Sequence, residues 1–400
     1  MTMIKPRLHT SVEVKGGLQD VKTPATVRIP LDAKHKATVK KKQLVSRGQI
    51  VAENSTKNAY CVGYVHASID GAVEEIGPGV IVIGPAPASK EGEAPPEFKS
   101  PEPCAELGSL TGEELVRTLM ELGIDTHRFH PSRTLIVNGL NPEPGVSVSE
   151  CLLKHAHKTL EKGVQVLERA IRPGSIKLVA AAGTNPTLHG CTTVEASDLY
   201  PATIDPLVVH AVTGAERPDN VDIISVSDLY RVGRVAETGQ PLVEAVITVG
   251  DHFFRVPTGM AVSEILSEAG VTPAAGWKVA LGGPMRGQAI GDLGMGIPEN
   301  ATAVTVVPAG EFPEVAPNPC VNCGECVLAC PARIQPGMLS RNAEFGFFEA
   351  TRTLHVEACL ECGMCTFVCP ANRPVMHYIL MAKAHLAARD AEVATCRLQD

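Results

Sequence analysis

Eight of the thirteen cysteines in this 400-residue chain lie between positions 320 and 370. Cys320, Cys323, Cys326 and Cys330, followed by Pro331, repeat in spacing as Cys359, Cys362, Cys365 and Cys369, followed by Pro370. Three thiolates on one tight turn reach different irons of a cubane. A fourth, carried away on the next helix, reaches a second cubane. The spacing therefore predicts two [4Fe–4S] clusters with crossed ligands: Cys320, Cys323, Cys326 and Cys369 for one, and Cys359, Cys362, Cys365 and Cys330 for the other. Zinc is the main rival, since its sites also use cysteines two residues apart. The third cysteine and the Cys-Pro ending favour iron–sulfur. So do Gly324 and Gly363, placed where the backbone must turn closely around a cluster. Disulfides are not expected: Met1–Thr10 carries Lys5 and Arg7 with no apolar block behind them, so a reducing compartment is the reading.

The remaining chain must position these thiols, and its patterning divides into four further parts. Residues 1–83 alternate in the manner of strands, as in Val27-Arg28-Ile29, Gln49-Ile50-Val51 and Gly71–Ile76, with glycine turns between. A lysine cluster here (Lys34, Lys36, Lys40, Lys41, Lys42) reads as a solvated strand edge. Residues 84–105 are a proline-rich linker. Residues 106–240 alternate helix and strand, which predicts an α/β unit with a largely parallel sheet. Thr111 to Glu114 suggests a capping box, Thr134–Val137 a buried strand, 149–171 one amphipathic helix and 176–182 a second strand. Residues 241–312 predict an α+β unit, with strands at 243–249 and 303–307 and a helix over 262–269. The turn at Gly282-Gly283-Pro284 is expected to pack against a neighbouring domain. Residues 313–400 hold the cysteine runs and an amphipathic helix from Met376. Cys104 and Cys151 read as structural, and Cys396 as a free thiol.

Composition excludes several classes. A net charge of −8 argues against nucleic-acid binding. No apolar run approaches the length of a membrane span, so any membrane association would come through a partner.

Val45–Gln49 and Val65–Val73 resemble the two halves of a lipoyl-like barrel-sandwich domain; Lys57 lies near the lipoyl-lysine position but lacks its context and is read as an exposed loop lysine. In order along nearly the whole chain, Val45–Gln49, Val65–Ser68, Leu135–Gly139, Glu143-Pro144, Tyr200-Pro201, Gly239–Leu242, Gly282–Met285 and the doubled cysteine run resemble the C subunit of the Rnf electron-transport complex. That resemblance implies a flavoprotein-like α/β domain similar to the NADH-binding subunit of complex I, a small ubiquitin-like α+β domain and a ferredoxin-like C-terminal domain. It also implies membrane-complex subunits as partners, a soluble carrier such as a ferredoxin or a cytochrome, and a peripheral position on the cytoplasmic face.

Three segments depart from the family pattern. Where relatives carry a glycine-rich phosphate loop, this chain reads Glu121-Leu-Gly123-Ile-Asp-Thr-His-Arg-Phe-His-Pro131. Where they carry Gly-Ala-Glu-Cys-Glu-Pro, it reads Gly139-Leu140-Asn141-Pro142-Glu143-Pro144. After Tyr200-Pro201 it reads Ala202-Thr-Ile-Asp-Pro206 in place of Gln-Gly-Gly-Glu-Lys. The expectation is a retained fold without the NADH site and without FMN; His127, Arg128 and His130 offer a weaker alternative as a substitute anion site. No catalytic residue is assigned. The function expected is an iron–sulfur relay in an Rnf-type ion-translocating oxidoreductase. The alternative is a stand-alone NADH/flavin-dependent reductase of the cobalamin-reductase type.

Overall fold

A computed structural model describes residues 7–11, 14, 16–56, 58–87 and 97–397. At its centre lies a parallel sheet of Thr192–Ala196, Ser175–Ala181, Thr134–Asn138 and Val221–Ser225, in that spatial order. Leu135, Ile136 and Val137 are buried on both faces of the sheet, which is why this strand reads as a continuous apolar run rather than an alternating one. One face carries the helices Gly112–Glu121, His157–Ile171 and Val226–Thr238. The other is covered by Asp205–Thr213, through Val208 and Val209 against Ile136 and Val179.

The helix expected over 149–171 is two helices, Val148–His155 and His157–Ile171, broken at Ala156. The break lets the first helix bury Cys151 beside Val14 and Phe253, while the second packs along Val226–Thr238. Thr111 also departs from expectation: it caps the first helix without a side-chain hydrogen bond. A complete capping box forms instead at Ser225, whose hydroxyl accepts from the Asp228 amide while the Asp228 carboxylate accepts from the Ser225 amide.

Residues 27–84 form two facing sheets around Val27, Ile29, Val51, Val73, Ile81 and Ile83. The described strands before residue 27 pair elsewhere. Leu8–His9 pairs with Leu199–Tyr200, and Leu18–Asp20 adds a parallel edge to His252–Pro257. Two- and three-residue strands carry too little alternation to fix their sheet locally, and exposed edges of other domains take them. The five lysines are exposed, Lys36 on the edge strand His35–Ala37. Lys57, Pro95 and Pro96 lie outside the described residues, and the side chain of Cys396 does too.

Residues 244–307 contain the expected strands Glu244–Val249 and Val304–Val307 and the helix Val262–Glu268. They add three further strands: His252–Pro257, Lys278–Leu281 and Gln288–Ile290. The C-terminal part is helical and ends in Val375–Arg397, which buries Ile379, Ala382 and Leu386. Among the described residues no helix is long and apolar enough to cross a membrane.

Candidate iron–sulfur centres

The repeated cysteine spacing folds as a repeated backbone. In each run the second residue after the first cysteine (Asn322, Glu361) and the glycine two further on (Gly324, Gly363) are left-handed. Each glycine starts a one-turn helix, Glu325–Leu328 or Met364–Phe367, that carries the third cysteine. Past each fourth cysteine, Arg333 and Asn372 are left-handed again, and the chain enters the helices Pro336–Glu344 and Val375–Arg397. Gly363 is fixed by packing as well as by turn geometry. A Cβ there would stand 2.6 Å from the Met285 carbonyl oxygen.

Two cavities result, each ringed by four cysteines. The first is lined by Cys320, Cys323, Cys326 and Cys369, with Val321, Gly337, Ser340, Arg373 and Val375 among its walls. The second is lined by Cys330, Cys359, Cys362 and Cys365 in an apolar setting of Ile334, Leu360, Met376 and Ile379. They enclose about 370 Å³ and about 290 Å³, part of it open to solvent. Among the described residues no three His, Cys, Asp or Glu side chains converge closely enough to chelate a single ion. In each set, four thiols line one shared cavity, as a cluster held by four cysteines requires.

Burial pushes the thiols of Cys359, Cys362, Cys365 and Cys326 upward, and the Cys365 thiol furthest. Backbone amides of Glu361, Met364 and Gly337 pull the other way at Cys359, Cys362 and Cys326. Thiols so placed become thiolates when a bound cation compensates them. The donor set, its spacing and its dry walls therefore fit the thiolate ligation of iron–sulfur clusters.

The two cavities differ in exposure. Cys323 is exposed and Val321 is 64% exposed at the first. At the second, Cys362 and Cys365 are buried, and Tyr200 and Ile204 of the α/β domain pack on Cys362 and Met364. The Tyr200 hydroxyl donates to the Cys362 carbonyl at 2.6 Å, and burial pushes its pKa upward. Spacing alone does not single out Arg373 as a wall residue. Alignment of the two runs from their fourth cysteines sets it opposite Ile334.

The three segments that depart from the family pattern meet in space. In the first, the amides of Gly123, Ile124, Thr126 and Phe129 donate to the carbonyls of Met120, Leu119, Cys61 and Thr126. Gly63 presses so closely on this loop that a Cβ would stand 2.4 Å from the Gly123 carbonyl carbon. His127 is held by Asp125 at 2.7 Å, Arg128 by Asp205 at 2.8 Å, and His130 stacks on Tyr60. Asn138 donates to Thr203 and Asp205, and the Thr203 hydroxyl donates to the Pro142 carbonyl. Asn141 is buried and donates to the Thr10 carbonyl. The nearby acid Glu143 accepts from the amides of Gly283, Met285 and Arg286, which clamps the α+β unit to the α/β domain. The turn at Gly282–Pro284 thus packs against its neighbour through a carboxylate.

Residues 319–373 match the family described as the 4Fe-4S dicluster domain. The chain is 26% identical to the C subunit of the ion-translocating oxidoreductase complex of Rhodobacter capsulatus, over 97% of this chain and 83% of that protein. The corresponding C subunit of Pseudomonas aeruginosa is 26% identical over 61% of this chain, and that of Edwardsiella ictaluri 28% identical over 65%. Those matches span 35% and 36% of the respective relatives, so the chain corresponds to about a third of each. A chain of an NAD+-reducing [NiFe]-hydrogenase in the H2-reduced state superposes with TM-score 0.41 at 14% identity, covering 66% of this chain and 60% of that one, too loosely to carry an argument. Over nearly its full length the chain is similar to C subunits of ion-translocating oxidoreductase complexes, and its match to the dicluster family is centred on the paired cysteine cavities.

Proposed function

We propose that the chain is the iron–sulfur electron-transfer subunit of an Rnf-type ion-translocating oxidoreductase complex. It binds peripherally, on the cytoplasmic face, to membrane subunits and exchanges electrons with a soluble carrier such as a ferredoxin or a cytochrome. The carrying observation is the pair of four-cysteine cavities, each drawing three ligands from one run and the fourth from the other. Each site supplies one-electron redox chemistry when its [4Fe–4S] cluster is bound. The chain's own part is to hold eight thiolates, to keep water from the second site with Ile334, Leu360 and Ile379, and to leave the first site open at Cys323. The flanking parts are read as a barrel-sandwich domain, a flavoprotein-like domain and a ubiquitin-like domain.

The flavoprotein-like domain is read as having lost NADH and FMN. Backbone amides that would cradle phosphate are already bonded to carbonyls, and the nearby cations are matched by Asp125 and Asp205. The same contacts, with His130 stacked on Tyr60, argue against the substitute anion site at His127, Arg128 and His130.

Anaerobic reconstitution of the full chain tests this reading. The expected product binds about eight irons with matching sulfide, contains no flavin, and is bleached by dithionite but not by NADH. Bleaching by NADH would instead establish the stand-alone reductase.

A further inference from the structure

The two cavities share one template, and at one matched position an arginine replaces an apolar residue. Counting from the fourth cysteine, the residues two, four and six further on line each cavity: Ala332, Ile334 and Pro336 in the second, Ala371, Arg373 and Val375 in the first. Arg373 therefore stands where the other run places isoleucine. Both side chains are buried, Arg373 at 3% exposure.

Arg373 is anchored at two of its three nitrogens. One terminal nitrogen donates to the Asn318 carbonyl; the other pairs with the Glu344 carboxylate at 2.6 Å. The Tyr378 hydroxyl also reaches that carboxylate, at 3.4 Å. The Nε–H is buried and has no partner among the described residues. Guanidinium remains protonated, so this donor is permanent, and a buried donor without an acceptor is costly. The two anchors fix the arginine side chain, and Arg373 lines the cavity.

We propose that Arg373 is a potential-setting residue whose Nε–H donates to a sulfur of the cluster held by Cys320, Cys323, Cys326 and Cys369. The proposal rests on the two-cluster reading above. A hydrogen bond to cluster sulfur favours the more negative, reduced form, and hydrogen bonding to sulfur is one of the levers that set these potentials. At the second cavity Ile334 supplies no donor. The first site is therefore the more easily reduced of the pair, and the electron at rest in a singly reduced chain sits on the solvent side.

An EPR-monitored redox titration of the reconstituted full chain tests this, with the first site's signal assigned as the one that Cys323→Ala removes. Iron and sulfide content are measured first, so failure of the two-cluster reading shows before any potential is recorded. Arg373→Met should make reduction at the first site about tenfold less favourable, about 59 mV downward for a one-electron couple, with the second site unmoved. Glu344→Gln leaves the arginine in place and removes its offsetting charge, so it should move the same site upward. No shift in Arg373→Met, or equal shifts at both sites, overturns the proposal. If Arg373→Met does not hold the first cluster, Glu344→Gln decides: an upward shift confined to the first site supports the proposal, and its absence overturns it.

Discussion

Cys369 lies in one cysteine run and lines the cavity of the other. That crossing has a consequence for pairs of substitutions that single ones do not reveal. Cys323 and Cys369 line the same cavity, whereas Cys362 and Cys369 line different ones. The double variant Cys323→Ala/Cys369→Ala should therefore keep about four irons, those of the untouched cluster. Cys362→Ala/Cys369→Ala should lose nearly all of them. If each run held its own cluster, the two variants would exchange behaviours. Iron and labile-sulfide analysis after anaerobic reconstitution separates these outcomes without any need for catalytic turnover.

Among the elements, the helices His157–Ile171 and Val226–Thr238 meet at a contact sensitive to a single methyl group. Two glycines let their backbones approach. A Cβ at Gly163 would stand 2.4 Å from the Leu229 carbonyl oxygen, and one at Gly233 would stand 2.0 Å from that of Thr159. Neither glycine has positive φ, so space rather than conformation dictates the residue. Gly233→Ala should destabilise the α/β domain by roughly 1–3 kcal/mol, read as a lower denaturation midpoint. An unchanged midpoint would mean that the helices can part at no cost. The apolar stripe over 149–171 predicts one helix and does not reveal this contact, because a stripe reports which face is buried and says nothing about how near the partner lies. The same limit explains the unseen break at Ala156, which is set by what Cys151 packs against, a hundred residues away at Phe253. The buried strand at Thr134–Asn138, the turn at Gly282-Gly283 and the cysteine spacing are legible in the sequence because each carries its own short-range signal. Leu8–His9 and Leu18–Asp20 have no such signal, and only the exposed edges that receive them decide their pairing.

For the whole molecule, the question is which side of the cysteine module meets the rest of the redox chain. The second cavity is closed by the α/β domain through Tyr200 and Ile204. Behind that contact, Arg128 and Asn138 both bond to Asp205. Under the proposed function, exchange with partners takes place on the open side, where Cys323 and Val321 meet solvent. Susceptibility to a hydrophilic oxidant should follow the same asymmetry. In chains carrying a single cluster, made with Cys362→Ala/Cys365→Ala or with Cys323→Ala/Cys326→Ala, ferricyanide should bleach the solvent-side cluster first, by about tenfold in rate, because water and small anions reach it while burial protects its neighbour. Equal rates would mean that the Tyr200 contact opens in solution. Faster loss from the second site would place the exchange surface on the opposite side of the module, against the α/β domain.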